Sequence, residues 1–139
     1  MKTSLDIVDI IYGRLNPTIS GDGIISGKVY KHKRPINSKL EDVVIGTLAT
    51  INTDVQTAII NVNVHVQDLI IASNGAQESQ ANHLRLNQLA KYVMGMLDNK
   101  WLTNDYSFNI QQQTLFEDLE GKEHYINIRI EFFSINVLN

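Results

Sequence analysis

Between Ile60 and Gln67 apolar and polar residues alternate strictly: Ile60, Val62, Val64 and Val66 interleave with Asn61, Asn63, His65 and Gln67. Period two places the two sets on opposite sides of an extended chain, which predicts a strand with one buried and one polar face. The N-terminal pattern differs. Leu5, Val8, Ile11, Tyr12 and Leu15 recur every three or four positions, the stripe of an amphipathic helix. Thr3 followed by Asp6 is a capping-box signal, and Asp6 and Asp9 suit the positive end of the helix dipole. Asn16-Pro17 predicts the end of this helix, because proline disfavours helical geometry in the residue before it. Gly21, Gly23 and Gly27 then predict a loop or an irregular hairpin lead-in across residues 16–27.

Further along, Lys28–Arg34 reads as a strand, Pro35-Ile36-Asn37-Ser38 as a turn, and Asp42–Ala49 as a strand apolar enough to be central. Asn52-Thr53-Asp54 turns the chain into the alternating strand. After Ser73-Asn74-Gly75 a longer helix is expected from Glu78 to Asp98, burying Leu86, Leu89, Ala90, Val93 and Leu97, with Asn99 as a left-handed cap. Thr103-Asn104-Asp105 predicts a turn. Tyr106, Phe108 and Ile110 alternate with Ser107, Asn109 and Gln111 in another strand, and a loop follows at Glu117–Glu123. The last strand is expected from Tyr125 to Val137. In it Ile126, Ile128, Ile130 and Phe132 face one side before Phe133, Ile135 and Val137 take over on the other, a phase change that implies a β-bulge or burial on both faces. The order α-β-β-β-α-β-β predicts one α+β domain over residues 1–139. Its two layers are a mostly antiparallel sheet of about five strands and two helices on one face of it.

Composition supports this picture. A chain of 139 residues suits a single domain that buries roughly two-thirds of its unfolded surface. Its 18 Ile and 10 Val favour strands, and 14 Asn with 8 Gln supply neutral polar groups that meet a partner at less desolvation cost than charges. The net charge of -3 argues against affinity built on phosphate neutralisation, so no specific nucleic-acid partner is expected. With no cysteine there is no disulfide framework, thiol chemistry or cysteine-based zinc site. Asp6 and Asp9 interrupt what would be the apolar part of a secretory signal, and no apolar run approaches the roughly 18 residues of a membrane span. A cytoplasmic location, or a virion assembled there, is the expectation.

Few residues form a pattern that catalysis or metal binding would need. Gly21-Asp22-Gly23-Ile24-Ile25-Ser26-Gly27 superficially resembles a phosphate-cradling loop but lacks the preceding strand, the following helix and the Gly-Lys-Ser/Thr step. His32, His65, His83 and His124 show no helical metal-binding spacing. His65 and His32 are a candidate pair across the sheet, yet no third group is singled out, and interface or surface roles are commoner for each. No Gly-x-Ser-x-Gly occurs. The chain is therefore expected to be non-enzymatic and to need no cofactor or metal.

Two charge clusters stand out instead. Lys28, Lys31, Lys33 and Arg34 fall within seven positions, as do Glu117, Asp118, Glu120 and Glu123. Lysines guard an edge strand and acids solubilise a loop tip in one reading. In the other, one subunit's basic strand meets another's acidic loop, a heterologous contact that closes into a ring.

The opening helix, Gly27-Lys28-Val29-Tyr30, Arg34-Pro35 and Glu41-Asp42-Val43-Val44-Ile45-Gly46 together resemble the tail terminator and tail-completion proteins of tailed bacteriophages. The alternating strand, the long helix and the closing hairpin fit the same plan. The insertion Asn37-Ser38-Lys39-Leu40 departs from it, since the family often has an aromatic residue beside that proline. The resemblance implies a structural homo-oligomer, commonly a hexameric ring, at the head-proximal end of the tail. Such a ring halts tail-tube growth and contacts neck or connector proteins. It carries no catalytic residues over to this chain. Two other readings stay open on the residues alone: a small-molecule-binding or regulatory α+β module, and a metal-dependent enzyme using His32 and His65.

Overall fold

The computed structural model describes residues 1–98 and 105–135. In chain order its elements are α1 (Ser4–Asp22), β1 (Val29–Lys31), β2 (Val43–Ile51), β3 (Val55–Gln67), β4 (Leu69–Ser73), β5 (Ala76–Gln80), α2 (His83–Leu97), β6 (Tyr106–Asp118) and β7 (Glu123–Ile135). The strictly alternating stretch lies in β3, at the centre of a five-stranded sheet ordered β1-β2-β3-β7-β6. All pairs in it are antiparallel except β1 with β2. Ala58, Ile60, Val62, Val64 and Val66 point inward from β3, and both helices pack on that side. The fold is the α+β class expected, with one addition: the separate two-stranded hairpin β4-β5 sits between β3 and α2.

The α1 capping box forms, with Asp6 N–H donating to Thr3 Oγ1 at 3.1 Å and Thr3 N–H donating to Asp6 Oδ2 at 2.8 Å. Two details of this helix differ from expectation. Leu5 is exposed and Ile7 takes its place, so the buried stripe is Ile7, Val8, Ile11, Leu15 and Ile19. The helix also runs through Pro17 to Asp22, so most of the loop expected over residues 16–27 is helical. An internal proline costs about 3 kcal/mol. Burying Ile19 returns roughly 1.5–3 kcal/mol, and the left-handed Gly23 (φ 64°) adds a cap by donating its N–H to the Ile19 carbonyl.

In α2 the buried set is the one expected: Leu86, Leu89, Ala90, Val93 and Leu97. The helix starts at His83 rather than Glu78, because residues 76–80 are extended. Arg85 ties this start to the segment before β2, donating from Nε and Nη2 to Glu41 (2.6 and 2.8 Å) and from Nη2 to the Ile24 carbonyl (2.7 Å). The hydrogen bonds from Arg85 hold the Glu41 carboxyl below the usual glutamate range. Asn99, Thr103, Asn104 and Val137 lie outside the described residues.

The phase change expected in β7 does not occur within those residues. Its pairing with β3 runs unbroken from Glu123↔Gln67 to Ile135↔Val55. Ile128, Ile130 and Phe132 point inward and buried Ser134 continues the period, its hydroxyl contacted by Lys2 Nζ at 3.0 Å. Phe133 is half-buried and Ile135 exposed on the other face. A satisfied hydroxyl holds an inward position where the sequence suggested a slip. The register shifts fall elsewhere, between Thr47 and Ala49 in β2 and between Ile110 and Gln112 in β6. No helix among the described residues is long and apolar enough to cross a membrane.

Candidate functional site

At one end of the sheet, where β3 passes into β4 and β6 turns into β7, a buried charge network forms around Arg34. The basic segment reaches it by leaving the sheet early. Only Val29–Lys31 pairs as strand, not Lys28–Arg34, because His32 adopts φ 66° and Lys33 N–H turns back to the Lys31 carbonyl at 2.7 Å. Arg34 then bridges two carboxylates with almost no exposure, Asp42 at 0% and Glu123 at 1%. Its Nη1 lies 3.5 Å from Asp42 Oδ2, and its Nη2 donates to Glu123 Oε1. Ser38 Oγ (2.5 Å) and Lys28 N–H (3.2 Å) also donate to Asp42, and Gln67 Nε2 (2.8 Å) to Glu123. Burial of two carboxylates is tolerated because each of their four oxygens has at least one donor.

Gly27 passes directly over this network. A Cβ there would lie 2.0 Å from Asp42 Oδ1 and 2.5 Å from the Glu41 carbonyl oxygen. Gly27→Ala is therefore expected to destabilise the fold by about 3 kcal/mol through displacement of Asp42 from its donors. Urea unfolding measures this, and a change below about 0.5 kcal/mol would show that the loop relaxes freely.

His65 joins from β3, its Nδ1 3.1 Å from Glu123 Oε1 and its ring 5.0 Å from that of Tyr125. Burial and the Arg34 charge push its pKa below 6.5, and together they outweigh the opposing pull of Glu123 and Asp42. His65 is thus mostly neutral at pH 7, and the Glu123 carboxylate beside it favours the tautomer with the proton on Nδ1. The folded state resists a proton that the unfolded chain accepts, so stability is full above pH 6.5 and falls as pH drops below it. A His65→Gln variant is expected to lose stability less steeply than the parent as pH falls from 6.5, as read by urea midpoints. Identical slopes would contradict the assignment.

The structure brings the two sequence clusters together within one chain, at Arg34 and Glu123, and scatters the rest. Lys31 pairs with Asp9 at 2.6 Å and lies over the Tyr12 ring. Asp118 accepts from Gly121 N–H at 3.2 Å inside the turn. Lys28, Lys33, Glu117 and Glu120 are exposed. A polar cleft of about 380 Å³ lies between the clusters, lined by side chains of both signs, Arg34 and Lys39 against Asp118, Glu120 and Glu123. His32 and His65 are not juxtaposed. His32 N–H bonds to the Ile45 carbonyl, and Ile45 pairs with Val62, three positions along β3 from His65.

The hydrophobic pattern does not predict the β4-β5 arm rooted at this same end. Asp68 anchors it: its N–H donates to the Lys122 carbonyl at 2.9 Å, Oδ1 lies 2.5 Å from His124 Nδ1, and Oδ2 accepts from Ser79 Oγ at 2.5 Å. Beyond this root all ten strand residues are exposed, including Leu69, Ile70 and Ile71. Among the described residues the two strands pack chiefly on each other. An isolated two-stranded hairpin is marginal in water. The arm is held in place by its root and by the Asn74-Gly75 turn, where φ values of 51° and 79° match the twist of a tight hairpin.

A second exposed surface lies at the β6 edge of the sheet, which carries the register shift between Ile110 and Gln112. The thirteen residues of β6 include no lysine, arginine or proline, and Gln111–Glu117 are all exposed. The opposite edge, β1, has three residues flanked by Lys28, Lys33 and Pro35. Short, lysine-flanked edges resist further pairing, whereas β6 is long and carries charge only at Glu117 and Asp118. Compared with known proteins, the chain matches no protein-family model and no curated sequence.

Proposed function

We propose that this protein is a non-catalytic structural component that works by joining copies of itself into a ring, as a tail terminator or neck protein of a phage or prophage does. In that role it ends tail-tube growth, contacts the head connector, and resides in the virion or the host cytoplasm. The observation that carries the reading is the anchored arm. A hairpin that exposes three large aliphatic residues, and is fixed in direction by Asp68, is suited to gripping a neighbour. The phage assignment rests on the resemblance of Gly27–Gly46 and the element order to that family, an argument by analogy.

The arm and the β6 edge are unlike surfaces on one chain, so contact between them is heterologous and propagates until rotation closes it. Native mass spectrometry and negative-stain microscopy of the full chain are expected to find a closed oligomer. A monomer at high concentration would contradict the reading. The alternative is a small-molecule-binding or regulatory α+β module, for which the cleft of about 380 Å³ beside Arg34, lined by side chains of both signs, is a place where a ligand could sit.

A further inference from the structure

We propose that the arm of one copy adds to the β6 edge of the next, making β4 an internal strand of a seven-stranded sheet that runs across the subunit boundary. This rests on the self-assembly reading above and names the contact behind it.

Three observations point to the same arrangement. First, β4 is apolar on both faces. Leu69 and Ile71 point to one side, Ile70 and Ala72 to the other, the pattern of a strand enclosed on both sides rather than of a solvated one. Its partner β5 reads Ala-Gln-Glu-Ser-Gln, a polar strand fit to be the new outer edge.

Second, the β6 edge offers apolar contact on both sides of its backbone. Phe116 stacks on Tyr125 at 5.3 Å on the open face of the sheet. On the helix side a hollow of about 320 Å³ is floored by Leu86, Ala90, Met94, Leu115 and Ile126. Five residues of β4 span about 17 Å, within the reach of Gln111–Glu117.

Third, the charges agree with one orientation. Ile71 pairs with Glu78, so both side chains share a face. With that face toward α2, Ile71 enters the hollow and Glu78 meets Lys91 on its rim. Main-chain hydrogen bonds supply the affinity, and the hollow sets the register.

The test is complementation between two variants of the full chain. Ile70→Asp/Ile71→Asp disables the arm and Gln113→Lys/Leu115→Lys disables the edge, all at exposed positions, and thermal melting is the control that each variant is folded. Each variant alone is expected to be monomeric, at least 100-fold weaker in self-association than the parent. Their equimolar mixture is expected to stop at a heterodimer, because one intact arm meets one intact edge. If either variant assembles like the parent, the contact is wrong while self-assembly stands. If the parent is itself monomeric, the self-assembly reading fails and the contact with it.

Discussion

Arg34→Ala is expected to destabilise the folded chain by about 3–5 kcal/mol, because it removes the cation shared by two buried carboxylates. Asp42 and Glu123 would keep their neutral donors, Ser38, Lys28 N–H and Gln67. They would also be left as like charges at the same buried sheet end, with no counter-charge from Arg34. Arg34→Lys should recover only part of the loss, since a point charge cannot fork between the two oxygens that the guanidinium reaches. Glu123→Gln should cost less than Arg34→Ala, because Asp42 remains to face the guanidinium. Urea unfolding of the three variants ranks these costs. A loss below about 1 kcal/mol for Arg34→Ala would mean that water reaches the carboxylates and replaces the pair.

The second large effect is on assembly. Ile70→Asp/Ile71→Asp should leave the unfolding free energy of the monomer within about 0.5 kcal/mol of the parent, because both side chains are exposed in the single chain. Self-association should weaken roughly 10²- to 10⁴-fold, the equivalent of losing about 1.5–3 kcal/mol of burial per isoleucine. Analytical ultracentrifugation separates the two readouts. Loss of folding together with loss of assembly would place the arm inside the core of the fold. Unchanged assembly would remove it from the interface.

If both expectations hold, the sheet end divides into a brace and the proposed grip. The network around Arg34 ties the segment before β2 to the start of β7, and Glu123 in turn holds His65 and Gln67 of β3. Asp68 and His124, the arm's anchors, are the next residues along those two strands. Rigidity at this corner therefore sets the direction in which the arm points. The charges singled out in the sequence as inter-subunit contacts include the brace, whereas the grip is apolar.

The sheet and helices were legible wherever burial dictated the period. β3 alternates because one face packs on two helices, and the α2 stripe follows for the same reason. Pro17 misled because a local preference of a few kcal/mol yields to a buried Ile19 and a left-handed Gly23. Ser134 misled because a hydroxyl can hold an inward position when Lys2 reaches it. The arm is illegible in the sequence for a different reason. Asn74-Gly75 is a strong hairpin signal, but Ala76–Gln80 is made of residues that favour helices at least as well as strands, and no core contact enforces period two there. The meeting of Arg34 with Glu123, 89 residues apart, depends on the left-handed turn at His32, which nothing in the local sequence announces.

Copies of this chain are proposed to join arm to edge, and the absence of cysteine allows that contact to be tested by cross-linking. One preparation would carry Ile71→Cys and the other Leu115→Cys, mixed under mild oxidation. A disulfide-linked heterodimer is expected in the mixture and almost none in either preparation alone. No cross-link in the mixture, or equal homodimers in the separate samples, would contradict it.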